Sequence, residues 1–200
     1  MSNVIGVVDY GVAGNIHSIK KALEKAGSKV IVVNEPSELL KIDKLILPGV
    51  GSFKDAMKEI DDNGLREALC KHIREKPTLG ICLGMQVLAK VGYEFGQTQG
   101  MGLINAEVKP MLCSGTVPHM GFNNIEVVKK NPILDGIEDE SFYFMHSYEV
   151  VNYTDVAALT TYCDHQFVSS IAKEHLYGVQ FHPEKSRDAG IRLFKNFINL

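Results

Sequence analysis

The chain has 200 residues, 45% hydrophobic and 22% charged, an ordinary globular balance that supports one sizeable core, so 1–200 is read as a single domain. A net charge of −3 provides no basic field for nucleic acid, and no apolar run is long enough to span a bilayer. The opening segment, Met1 to Tyr10, lacks the basic region of an export signal and reads as a strand, which points to the cytoplasm. Val4–Val8 is a short apolar run, as expected of a strand buried on both faces. A turn over Asp9–Gly14 follows; its glycines are Gly11 and Gly14, so the three-glycine dinucleotide fingerprint is missing and no nucleotide is assigned. Asn15–Ala26 has helical spacing and ends at Gly27, Lys29–Val33 is a strand, and Lys44–Leu47 is a strand stopped by Pro48–Gly49. Phe53–Ile60 and Leu65–Ile73 read as helices, Thr78–Ile81 as a strand, and Met85 to Val91 as the opening of another helix. Strand-like stretches then crowd together at Asn124–Val128, Ser141–His146, Ala157–Thr161, Phe167–Ala172 and Leu176–Gln180, before an amphipathic helix over Asp188–Ile198. The rhythm predicts an α/β fold: a central, mostly parallel sheet flanked by helices, with added antiparallel strands.

Four cysteines are present, at 70, 82, 113 and 163. None has zinc-ligand spacing, and a chain of this size needs no disulfide framework, so all four are expected to be reduced. Cys82 stands apart. An apolar strand runs into Gly80-Ile-Cys82-Leu-Gly84 and then a predicted helix, the form of a nucleophile elbow with cysteine in place of serine. The flanking glycines suit a turn too tight for side chains, the helix start favours the thiolate, and the Leu83 N–H is placed to donate to an oxyanion. The bland alternative is a small residue buried in a tight turn, the usual state of a free cysteine.

A second stretch, Leu176-Tyr-Gly-Val-Gln-Phe-His-Pro-Glu184, ends a strand at what reads as an exposed loop. In extended chain His182 and Glu184 point to one side, so the carboxylate can orient the imidazole and the imidazole can take the Cys82 proton. Alone, the pair is as well read as a strand-end histidine beside a solvated glutamate. Beside a cysteine elbow, a triad is the better reading.

Gly80-Ile-Cys-Leu-Gly-Met-Gln86 and Gln180-Phe-His-Pro-Glu184 together resemble the class I (triad) glutamine amidotransferases, over nearly the whole chain. Leu47-Pro-Gly-Val-Gly-Ser-Phe53, Pro118-His-Met-Gly-Phe-Asn123 and Phe142-Tyr-Phe-Met-His-Ser-Tyr148 are most similar to the glutaminase subunits of imidazole glycerol phosphate synthases within that family. The resemblance implies a flavodoxin-like fold and a Cys-His-Glu triad of Cys82, His182 and Glu184. It implies an oxyanion hole from the backbone of Gly49, Val50, Gly51 and Leu83, and substrate contacts at Gln86, Glu94, Ser147 and Tyr148. It also implies a heterodimer with a (β/α)8-barrel cyclase subunit, ammonia passing through a tunnel, and low glutaminase activity until the partner docks. No metal or organic cofactor is indicated. Phe122 departs from the tryptophan usual in the family, near the expected partner face, and the turn at Gly11–Gly14 is one residue longer than the common form.

Each contact has a plainer reading: Pro48–Gly51 as a strand-ending turn, Gln86 as helix surface, Glu94 as a solvated loop acid, Tyr148 as core. The remaining histidines, 17, 72, 119, 146, 165 and 175, read as structural or exposed, with His146 in a position to shape the pocket. Two other classes compete. Flavodoxin-like peptidases and deglycases share an elbow cysteine but usually lack the His-Pro-Glu and the following glutamine. A non-catalytic binding module with a remnant triad would not be expected to keep all three residues.

Overall fold

The computed structural model of the protein describes residues 4–11 and 15–200; the predicted turn's Val12 to Gly14 fall outside them. The strands are β1 (Val4–Val8), β2 (Lys29–Val33), β3 (Lys44–Leu47), β4 (Thr78–Ile81), β5 (Val91–Gly92), β6 (Thr98–Gln99), β7 (Glu107–Pro110), β8 (His119–Asn124), β9 (Glu126–Val127), β10 (Ser141–His146), β11 (Tyr148–Val151), β12 (Val156–Tyr162), β13 (His165–Lys173) and β14 (Leu176–Val179). The α-helices are α1 (Ile16–Lys25), α2 (Phe53–Asp62), α3 (Arg66–Glu75), α4 (Leu83–Gln86) and α5 (Arg187–Ile198).

Among the described residues, the main sheet has eight strands in the order β2-β1-β3-β4-β14-β13-β12-β9. The first five run parallel and the last three are antiparallel additions. Every residue of β3, β4 and β14 is buried, which is why their sequences run apolar without alternation. α1 and α5 cover one face through Ile19, Leu23, Leu193, Phe194 and Phe197. α2 and α3 cover the other through Phe53, Met57, Ile60, Leu69 and Ile73. Gly27 takes φ +103° just past α1, the left-handed position that ends a helix. The chain leaves the C-terminal ends of neighbouring β3, β4 and β14 at Pro48, Cys82 and Gln180, so three distant segments meet at one edge.

Three expectations need correction. The helix predicted to open over Met85–Val91 is a single turn, Leu83–Gln86. It stops because the carbonyls of Val87, Leu88, Ala89 and Lys90 accept from Met101, Leu103, Gly102 and Gly100, and so cannot bond further along a helix. The strand predicted at Asn124–Val128 is two pieces, β8 starting earlier at His119 and β9 covering only Glu126–Val127. In β8 the usual pattern is inverted, with Met120 and Phe122 outward and His119 buried, so hydrophobic alternation misleads. Finally, β14 is not purely an antiparallel addition: it pairs parallel with β4 on one side and antiparallel with β13 on the other.

Candidate active site

Cys82 sits between β4 and α4 with φ +51° and ψ −109°, a strained conformation for a residue with a side chain. Its N–H is held by the Val179 carbonyl of β14 at 2.7 Å. The elbow tolerates no side chain at its flanks: a Cβ on Gly84 would lie 1.9 Å from the Leu47 carbonyl oxygen, and one on Gly80 would lie 2.6 Å from the Gly84 carbonyl oxygen. The strained turn fits the elbow expected from sequence. A four-residue α4 has little macrodipole, however, so the free N–H groups at its start matter here more than a helix dipole does.

The side chains of His182 and Glu184 are fully buried, not exposed as the sequence suggested. The extended geometry expected for the pair is also wrong in detail: only His182 is extended, and Pro183–Lys185 form a 3-10 turn. That turn still swings the carboxylate back onto the ring, with His182 Nδ1 to Glu184 Oε1 at 2.8 Å. Nδ1 therefore carries the proton that faces the carboxylate, which leaves Nε2 for the thiol side. Burial opposes charge on His182, but Cys82 and Glu184 outweigh it and raise the imidazole well above its ordinary range. Burial likewise opposes charge on Glu184, yet hydrogen bonds from His182 and Asn15 hold its carboxyl below the usual range.

A cavity of about 240 Å³ opens on Cys82 and is lined by Val50, Gly51, Leu83, Gln86, Glu94, Ser147 and Tyr148, with Pro118, Met145 and His146 completing it. These include eight of the residues singled out from sequence, counting Cys82. Gly49 lies behind the wall, packed so closely that a Cβ there would meet Leu83 Cβ at 2.4 Å. His182 and Glu184 stand buried behind Cys82 and do not line the cavity. Gln86 is buried, not helix surface, and its Nε2 donates to the Tyr148 carbonyl at 2.9 Å. Glu94 is anchored, not merely solvated: it accepts from the Phe53 N–H at 2.7 Å. A larger depression of about 610 Å³ lies elsewhere, between Phe122, Ile137, Glu140, Arg187 and Arg192, and contains none of the predicted site residues.

The description "Glutamine amidotransferase class-I" fits a family model that matches residues 7–200. The chain belongs to the class-I glutamine amidotransferases. It is 44% identical to an imidazole glycerol phosphate synthase subunit HisH 1 of Campylobacter jejuni, over 98% of this chain and 100% of that protein. It is 42% identical, over the same shares, to the subunit HisH of Wolinella succinogenes. Among solved structures, PurLQS from Thermotoga maritima superposes with a TM-score of 0.77 at 19% identity, over 100% of this chain and 99% of that one, a likeness of fold alone.

In this amidotransferase, four residues that the sequence reading did not single out as site residues support the elbow and the pair. Asn15, just before α1, donates to Glu184 Oε1 at 2.8 Å. Ser186 donates to the His182 carbonyl at 2.7 Å and accepts from the Tyr143 N–H at 2.9 Å, tying the 3-10 turn to β10. The buried Tyr10 hydroxyl donates to the Pro48 carbonyl at the root of the Gly49–Gly51 loop, and burial pushes the phenol far above its ordinary range. Gln180 Nε2 lies 3.4 Å from Cys82 Sγ. Apart from the Ser186–His182 bond, which spans four residues, these contacts join segments far apart in sequence, so no local pattern announces them. The only local sign was the position of Gln180 and Ser186 beside His182. All four cysteines are free. Among the described residues, no helix is long and apolar enough to cross a membrane.

Proposed function

We propose that the protein is the glutaminase subunit of an imidazole glycerol phosphate synthase. In this reading it hydrolyses glutamine to glutamate and ammonia and passes the ammonia to a (β/α)8-barrel cyclase subunit, for imidazole glycerol phosphate and AICAR formation in histidine biosynthesis. The observation that carries the reading is the strained Cys82 elbow opening into a cavity walled by Gln86 and Glu94, with the buried His182–Glu184 pair behind it. Relatives bearing the synthase-subunit name, at 40% identity or more over nearly the full chain, support the choice of synthase.

In the first half-reaction His182 Nε2 takes the Cys82 proton and the sulfur attacks the side-chain amide carbon of glutamine. The oxyanion is held by N–H groups of Leu83 and the Gly49–Val50–Gly51 loop. Collapse forms a glutamyl thioester, and His182 returns the proton to the leaving ammonia. In the second half, water gives a proton to His182 and attacks the thioester, releasing glutamate and restoring the thiol. Glu184, braced by Asn15, keeps the ring in the tautomer that presents Nε2. Gln86, Glu94, Ser147 and Tyr148 hold the substrate, with the Glu94 carboxylate facing the α-ammonium group.

The docking face we assign to the cyclase is the outer side of the two-stranded β8–β10 ribbon. Met120 and Phe122 are exposed there, and Phe122 is paired with Tyr143 and capped by the Arg187 guanidinium at 4.6 Å. Docking on this ribbon, next to the site, would shift the Gly49–Gly51 loop toward its oxyanion-binding form. The cytoplasm suits the four free thiols. The test is glutamate release with and without a cyclase subunit and its nucleotide substrate. Strong stimulation that disappears in Cys82→Ala supports the whole reading. A high, partner-independent rate defeats the activation step. No stimulation, with Cys82 still captured by a glutamine affinity label, keeps the glutaminase and moves the partner to another synthase.

A further inference from the structure

We propose that Gln180 belongs to the reacting centre: its amide N–H donates to the Cys82 sulfur and stabilises the anionic form, and Gln86 dictates which end of the Gln180 amide faces that sulfur. The inference rests on the glutaminase reading and adds a residue outside the Cys-His-Glu set.

One main-chain atom at the start of the relay has a fixed polarity. The Tyr148 carbonyl can only accept, and the Gln86 amide end that reaches it at 2.9 Å must therefore be the nitrogen. That nitrogen has a second hydrogen, which meets Gln180 Oε1 at 3.0 Å. With its oxygen engaged, the Gln180 amide can only turn its nitrogen toward Cys82 Sγ, 3.4 Å away. His146 Nδ1, 3.0 Å from the same Tyr148 carbonyl, adds a second donor at the start of the chain. The relay is dry: Gln180 is fully buried, and Gln86 and Cys82 are 5% and 6% exposed. The Gln180 backbone is fixed as well, its N–H donating to the Ser169 carbonyl at 2.9 Å.

Flipping Gln86 would set its oxygen against the Tyr148 carbonyl, and flipping Gln180 would set its nitrogen against the Gln86 nitrogen, two donors face to face in a low-dielectric site, so the orientation is one-sided. A donor aimed at sulfur strengthens when sulfur becomes an anion, because hydrogen bonds to charged acceptors are roughly twice as strong as neutral ones. Gln180 thus favours the thiolate. The same relay constrains Gln86: both its hydrogens are committed, so it can offer a ligand only its carbonyl oxygen, and it selects a donor group on the substrate.

The test is the pH dependence of Cys82 modification by iodoacetamide in the full chain, read by mass spectrometry of the Cys82 peptide, so that Cys70, Cys113 and Cys163 do not interfere. Gln180→Met removes the donor at similar volume. Gln180→Glu keeps an acceptor for Gln86 but offers the sulfur no hydrogen. Both are expected to move the inflection to higher pH, by about one unit for Gln180→Met, a tenfold lower thiolate fraction below the inflection. A folded Gln180→Met with the wild-type inflection overturns the proposal and leaves Gln180 as a packed core amide. If neither variant melts cooperatively, the wild-type protein decides: the Gln180 side-chain amide proton resonance must follow the Cys82 inflection, and one that ignores it overturns the proposal. Because no turnover is measured, failure here is distinct from failure of the glutaminase reading, which glutamate release tests directly.

Discussion

At the scale of single residues, the site divides into what neighbours in sequence can signal and what they cannot. Cys82 between two glycines, and His182 two positions before Glu184, are local patterns with a chemical reason, and both were legible. Asn15, Tyr10 and Gln180 act across 169, 38 and 98 residues, so only the fold assembles them. The His182–Glu184 contact leads to a prediction. Glu184→Gln keeps the shape but removes the charge that steadies the imidazolium, so partner-stimulated kcat is expected to fall roughly a hundredfold or more. KM should stay within a few-fold, because the carboxylate lies behind the cavity; steady-state kinetics on the complex checks both. Tyr10→Phe removes the hydroxyl that anchors the Pro48 carbonyl. It is expected to lower kcat about tenfold, with the oxyanion loop less well held and the core volume unchanged. An unaltered kcat in a stably folded Tyr10→Phe would show that the loop needs no such anchor.

At the scale of elements, the parallel half of the sheet was readable because strands covered on both faces must be apolar throughout. The predicted spans of β2, β3 and β4 agree with those observed. The two-residue strands β5 and β6 carry no pattern of their own and exist only because they pair with each other and β5 pairs with β7. The glycines of the elbow are the sharpest link between element and site. In Gly84→Ala the added methyl would lie 1.9 Å from backbone at Leu47, where no side chain can yield, so either β3 or the elbow must move. The expected outcome is a loss of about 1–3 kcal/mol in urea unfolding and a larger loss of activity, since the shift moves the oxyanion loop against the nucleophile. Wild-type stability and kcat in this variant would mean that the approach of β3 to α4 does not position the site.

At the scale of the whole molecule, composition and rhythm conveyed the layered α/β plan but not how deeply charge and imidazole are buried, because burial is set by which segments meet. His182 was expected at an exposed loop and lies fully inside; His72 and His146 are buried too. These depths determine the response to acid. Burial, the largest cause in each case, pushes His72 down to about 4 and His146 down to about 3, while in the unfolded chain both titrate near 6.5. Above pH 6.5 both are neutral in either state and contribute no pH dependence. As the pH falls below that, the unfolded chain takes up protons that the folded protein refuses, so stability declines, and for His72 the decline levels off below about 4. Glu184, lowered in the fold, adds to the acid loss as it is protonated. His182 works in the opposite sense: raised in the fold, its contribution is fully present below 6.5 and is lost only as pH rises through its folded value, so it cannot mask an acid decline that begins at that pH. Urea unfolding midpoints should therefore drop between pH 6.5 and pH 4. The drop should be shallower in His72→Gln, which cannot take up a proton in either state and lies away from the cavity. An equally steep drop in His72→Gln would assign the acid sensitivity to other groups.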